Sequence, residues 1–225
     1  LKVFNHSSFE FQIPFAPPIF RLNIFLILLF KDILMIKLTT FFRLYFFLII
    51  LFIHSQVMAY EEPSFNVVHQ TDVYEVRHYV ERLAVQATYS NQNSSFRNLF
   101  NYISGANIDS EKIKMTTPVT QTEKSSEMVM QFYLPSKYTK ETAPSPNDPR
   151  VELITIKEGH YAVIKYSGRL TDKNFNKHKK ILKESLIEDK IKIIGPVIKA
   201  TYNGPFTLPV LRRNEAMFHV DWKKL

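Results

Sequence analysis

The sequence predicts an α+β fold in which a duplicated β-β-α-β-β unit forms a distorted β-barrel with two flanking helices. Three observations carry this expectation. Segments of period-two alternation bracket two stretches of 3.6-residue periodicity. The order strand, strand, helix, strand, strand occurs twice. Matching positions in the two runs lie 78 residues apart, Val73 with Val151 and Pro118 with Pro196, and Tyr89 precedes Tyr166 by 77. A single unit would expose the inner face of its sheet. Two copies about a pseudo-twofold axis are therefore expected to join, with a groove where the halves meet.

Before the first unit stand two unbroken apolar runs, residues 22–30 and 44–53, separated by Lys31, Asp32, Lys37 and Arg43. Neither reaches the roughly 20 residues of a membrane span. The first Met is Met35, and residues 35–59 read as a signal peptide. It has a basic flank, an apolar run, and Val57-Met58-Ala59 where a signal peptidase reads, so cleavage is expected after Ala59. Residues 1–34 are then an upstream segment, untranslated or disordered. The alternative for this region is an uncleaved amphipathic or membrane anchor. The expected destination is the periplasm or the exterior, with membrane contact only through this segment. Residues 60–225 form the functional domain, with half repeats at about 73–134 and 151–222.

The first half opens with VYEVRHYV, where Tyr74, Val76, His78 and Val80 share a face, and continues into RLAVQATY, where Leu83, Val85, Ala87 and Tyr89 share one. A β-hairpin turning near Glu81 is expected. Ser94 or Ser95 caps a short amphipathic helix with Phe96, Leu99, Phe100 and Ile103 on one side, and Gly105 ends it. Two strands follow. Pro118 in MTTPVTQ suggests an edge strand or bulge, and MVMQFYL alternates through Met128, Met130, Phe132 and Leu134. Residues 135–150 hold four prolines and read as an exposed connection.

The second half repeats the pattern. VELITIK is expected to turn at Glu158-Gly159 into HYAVIKY. Thr171 or Asp172 caps a longer helix with Phe175, His178, Leu182 and Leu186 inward. VIKATYN follows, introduced by Gly195-Pro196, and EAMFHVDW closes the unit with Ala216, Phe218, Val220 and Trp222 on one face.

Composition excludes several chemistries. The chain is 45% hydrophobic and 14% aromatic, ample for a packed core, and has no Cys, which removes disulfides, thiolate nucleophiles and Cys-ligated metals. The five glycines, at 105, 159, 168, 195 and 204, have no phosphate-loop or dinucleotide spacing. There is no nucleophile elbow and no H-E-x-x-H, and the five histidines beyond residue 59 are too dispersed for a local metal motif. No catalysis is expected. The net charge is +8, and +5 without residues 1–59, which by itself does not distinguish an anionic lipid, a nucleic acid or an acidic ligand.

Three features bear on binding. His78 sits on an otherwise apolar strand face, where its imidazole could be a hydrogen-bonded core group or a ligand to haem iron. Phe96, Phe100, Met115, Met128 and Met130 form an aromatic and thioether stripe that reads as core or as a cradle for a flat apolar ring. Lys173, Lys177, Lys179, Lys180 and Lys183 form a basic run that reads as a solvated helix face or a grip for anions.

The segments YEVRHY at 74–79, NYISGAN at 101–107, KIKMTTPV at 112–119, APSPNDPRVEL at 143–153 and RRNEAMFHV at 212–220, in that order, resemble the SOUL haem-binding protein family. The similarity runs from Val73 to near Trp222. It implies a duplicated barrel that takes a tetrapyrrole into a hydrophobic groove. It also implies a site formed by Phe96, Phe100 and Tyr102 on one side and Tyr202, Pro205 and Phe206 on the other. Arg97 would face the propionates, and His78 would stand where an axial histidine has been suggested, although other members hold haem without an iron ligand. The function expected from the resemblance is an exported monomeric binding protein for haem or another porphyrin, with no nucleic-acid partner. The alternatives are a binder of another apolar small molecule, or an envelope or host-facing interaction module.

Overall fold

The computed structural model describes residues 18–54, 60–89, 92–124 and 127–223. The chain divides into two compact units, Leu1–Met58 and Ala59–Leu225. In the first, a single helix, α1 (Pro18–His54), joins the two apolar runs. No proline or glycine interrupts it after Pro18, which sits at the first helical position where its missing N–H costs nothing. The hydroxyls of Thr39 and Thr40 donate back to the Ile36 carbonyl at 2.9 and 2.7 Å. Among the described residues, no helix is long and apolar enough to cross a membrane. The expected cleavage after Ala59 falls in residues 55–59, outside the described residues.

The second unit contains β1 (Phe65–Gln70), β2 (Glu75–Tyr79), β3 (Arg82–Tyr89), α2 (Gln92–Ile103), β4 (Val119–Lys124) and β5 (Glu127–Tyr133). It continues with β6 (Glu152–Ile156), β7 (Gly159–Tyr166), α3 (Asp172–Glu188), β8 (Lys192–Thr201) and β9 (Asn214–Asp221). All nine strands form one antiparallel sheet in the order β1-β2-β7-β9-β8-β4-β5-β3-β6. The sheet is not closed, with β1 and β6 at its edges, so the pairing gives an open mixed α+β architecture in place of the expected barrel.

Neither expected hairpin forms. β2 pairs with β1 and β7, while β3 pairs with β5 and β6. The links Val80-Glu81 and Lys157-Glu158 lack the positive-φ residues of a tight hairpin turn. The chain runs on in each case, and the two segments pair with each other on one register. Glu75 faces Val163 and Tyr79 faces Gly159, then Arg82 faces Ile156 and Gln86 faces Glu152. The order from β2 to β6 reads the same from either end when β2–β5 are exchanged for β6–β9.

Pleating gives the sheet two faces with different partners. On one face, α2 covers Val85, Ala87, Met130 and Phe132 with Leu99, Tyr102 and Ile103. The same face carries α3, whose Leu182 and Leu186 pack on Val76, Ala162, Ile164, Ala216 and Phe218. The opposite face holds a third cluster of Tyr79, Tyr161, Val163, Ala200, Tyr202 and Met217. β2 is therefore buried on both sides, and Arg77 and Tyr79 are as inaccessible as Tyr74 and Val76.

Other boundaries depart from expectation for local reasons. α2 starts at Gln92, so Ser94 and Ser95 lie within its first turn, and the Ser95 hydroxyl donates to the Thr88 carbonyl at 3.2 Å. Gly105, at φ +112°, ends α2 as expected. Pro118 precedes β4, which is an inner strand between β5 and β8. Gly195-Pro196 lies inside β8 at a register shift between Ile193 and Val197. The segment 135–150 is not merely an exposed connection. Tyr138 and Ala143 belong to the α2 core, and the Pro144 carbonyl accepts from Tyr102 Oη at 2.7 Å. Thr171 caps α3, its side chain accepting from Asn174 N.

Candidate functional site

A groove of about 580 Å³ opens beside α2. Its floor is the α2-side face of β4 and β5, from Val119, Gln121 and Met130, and its walls are Phe96 and Phe100 on one side and residues 201–205 on the other. Tyr60, Met115, Thr117 and Leu170 complete it. The Phe96 and Phe100 rings lie parallel, 6.1 Å apart with 11° between planes, and Phe96 meets Phe132 edge-on at 5.3 Å. Both rings are half exposed, at 41% and 48%. Helical spacing explains this, because i and i+4 share a face while Leu99 and Ile103 turn into the core. No charged or histidine side chain lines the groove among the described residues.

The structure brings four of the expected site residues to this groove: Phe96, Phe100, Tyr202 and Pro205. Tyr102 is buried beneath α2 with its hydroxyl committed to Pro144. Arg97 and Phe206 are exposed, Phe206 almost fully at 98%, next to Pro205. His78 is not among the lining residues. It stands opposite His160 across the β2–β7 pair, with ring centroids 4.7 Å apart. Tyr60, Met115, Gln121 and Leu170 complete the lining without having been assigned to the site from the sequence, although Met115 belonged to the aromatic and thioether stripe. The alternation around β4 and β5 could have suggested Gln121. The positions of Tyr60 and Leu170 come only from tertiary structure.

Tyr202 ties the groove to a buried charge network. Its hydroxyl donates to Glu215 Oε2 at 2.7 Å, and burial followed by the adjacent carboxylate holds its pKa far above the ordinary phenol range. Glu215 also accepts two parallel bonds from Arg77, each 2.9 Å, and one from Arg213 Nε at 3.0 Å. Arg77 donates to Tyr79 Oη and to Glu75, and Arg213 reaches Glu62 at 3.0 Å with its guanidinium 3.7 Å above the Tyr202 ring. Bidentate geometry makes the Arg77–Glu215 pair strong and directional. The sequence clue was a charge on each of two strands otherwise rich in buried residues, Arg77 within EVRHY and Glu215 within RRNE.

Burial lowers the pKa of two histidines on the neighbouring strands below the ordinary 6.5. The positive charge of His78 adds to the effect at His160, and that of Arg82 at His219. The unfolded chain therefore takes up these protons at higher pH than the folded chain. The stability they contribute is complete above about pH 6.5 and lost as pH falls from there through the folded values. Thermal melts should show Tm dropping below about pH 6.5, and a His160→Gln/His219→Gln double variant should flatten that slope. An unchanged slope in the variant would remove these residues from the account.

The comparisons with known proteins agree on the fold. The family model described as SOUL heme-binding protein matches residues 60–219. No curated protein matches the sequence. Among solved structures, an uncharacterized conserved protein from Listeria innocua is 9% identical with a TM-score of 0.52, covering 66% of this chain and 92% of its own. A hydrolase from Listeria innocua is also 9% identical, with a TM-score of 0.50 over 68% of this chain and 94% of its own. The C-terminal domain of EcmrR is 12% identical, with a TM-score of 0.50 over 66% and 96%. At such identities the likeness extends to the fold alone.

Proposed function

Because this chain belongs to the SOUL haem-binding protein family, we propose that it binds haem or a related tetrapyrrole in the groove between α2 and residues 201–205. The supporting observation is the groove itself: about 580 Å³, walled by parallel aromatic rings and by thioethers, with no buried charge to desolvate. Its size lies within the range of ordinary ligand sites. A flat apolar macrocycle fits such walls, and the transfer of its faces from water supplies the binding energy.

The lining offers phenols at Tyr60 and Tyr202 and thioethers at Met115 and Met130, but no imidazole among the described residues. Tyr202 is already committed to Glu215. In this reading the ring is held chiefly by burial, with His78 outside the contact. Arg97, exposed on α2 between the two rings in sequence, takes the propionates, and exposed Phe206 folds over the bound face. The duplicated plan and the export of residues 60–225 belong to the same reading. The exchange-symmetric strand order supports the first and the apolar leader pattern supports the second.

Titrating the full chain with ferric haem and with a metal-free porphyrin tests the proposal. Saturable one-to-one binding of both is expected, with a Soret band that His78→Ala leaves in place. Haem binding no tighter than to an unrelated basic protein would overturn the tetrapyrrole reading. A Soret shift in His78→Ala would overturn the placement.

A further inference from the structure

On the face of the sheet away from the helices lies a second cavity, of about 200 Å³, which shares no lining residue with the groove. Arg82 of β3 is at its centre. The guanidinium carbon lies 4.1 Å from the Tyr79 ring centroid, 5.2 Å from Tyr161 and 5.3 Å from Tyr133. Three phenol rings thus hold the cation by its faces, which leaves the hydrogen-bonding edge to point elsewhere. Its Nε is buried without a hydrogen-bond partner. A buried orphan donor on a charged group is costly and calls for an acceptor.

The rest of the cavity tells what kind of acceptor. Gln131 and His219 supply polar edges, while Ile198, Met217 and the Tyr161 ring are apolar, and no acidic side chain lines it. The His219 ring stacks on Tyr161 at 4.9 Å and occupies the space over Gly159 and Gly195, where an added Cβ would come within 2.6 and 3.1 Å of it. Burial and the nearby Arg82 charge favour its neutral form. The site therefore offers one net positive charge, which matches a monoanion and leaves a phosphate dianion under-compensated. We infer that this cavity binds a small monocarboxylate with a short apolar body, its planar head on the Arg82 edge and its body against Ile198 and Met217. Volume limits the body to about one ring.

The test uses sodium benzoate as probe on the full chain, with benzamide and inorganic phosphate as comparators. NMR of the Arg82 Nε–H resonance should show a saturable shift with benzoate and none with the others. Arg82→Gln should weaken benzoate about tenfold or more, in proportion to a lost charge-assisted bond, while haem titrates as in the parent chain. Arg82→Lys, which keeps the charge and the ring contacts, should fall between. The inference is overturned if benzoate produces no saturable shift in the parent chain, or if Arg82→Gln binds benzoate equally. It is also overturned if benzamide or phosphate moves the resonance as much as benzoate does. Because the lining sets are disjoint, failure of haem binding leaves this result standing, and the reverse holds.

Discussion

Replacing Glu215 with Ala is expected to cost about 3–5 kcal/mol of stability and to lower Tm by roughly 10 °C or more. Glu215 is fully buried, and its two oxygens receive Arg77, Arg213 and Tyr202. Truncation leaves the Arg77 guanidinium, itself inaccessible, without its counter-charge between packed strands. Arg213 suffers less, because it keeps Glu62 and is partly solvated. Most of the cost is the stranded Arg77 charge and not the value of the pair. A Glu215→Leu/Arg77→Met double variant should therefore recover a substantial part of the loss. Thermal melts of the three proteins decide it. A Glu215→Ala chain melting within about 2 °C of the parent, less than 1 kcal/mol, would mean the network does not hold the sheet. The same substitution frees Tyr202 and so loosens one wall of the groove, which should weaken haem even in the folded fraction.

That network also shows where sequence reading stopped. The elements from Val73 onward were legible because each has a strong period. α3 sits where Phe175, Leu182 and Leu186 placed it, and β9 presents Ala216, Phe218 and Val220 to it. Pairing was not legible. A two-residue link between alternating segments reads as a hairpin, but whether the chain turns or runs on depends on partners about 80 residues away, such as Gly159 for Tyr79. Burial on the second face was hidden for the same reason. Arg77 reads as a solvent-facing charge until Glu215 is placed opposite it by β7 and β9. β1 escaped notice because Phe65–Gln70 is an edge strand with most of its side chains exposed, so it carries little alternation. Of the groove, the wall on α2 was visible as an i, i+4 aromatic pair. The floor residue Gln121 and the flanking Tyr60 and Leu170 come from three other segments that only the fold brings together.

The aromatic wall gives the second large effect. A Phe96→Ala/Phe100→Ala double variant is expected to bind haem roughly 100-fold more weakly, since two rings in contact with a ligand contribute about 3 kcal/mol together. The fold should barely notice. Both rings are already half exposed, and the buried stripe of α2, Leu99, Tyr102 and Ile103, is untouched. Phe96 loses only its edge contact with Phe132, for which about 1 kcal/mol is a fair upper figure. Affinity and stability thus separate at these positions, which they do not at Glu215, and that separation gives the measurement its force. Haem titrations paired with thermal melts would show a large change in the first and a small one in the second. An affinity within about threefold of the parent, less than 1 kcal/mol, would place the tetrapyrrole outside this groove whatever the family does elsewhere. A loss of affinity for haem and metal-free porphyrin alike would trace the binding energy to ring faces and not to iron. That outcome is expected from a groove whose lining holds no imidazole among the described residues.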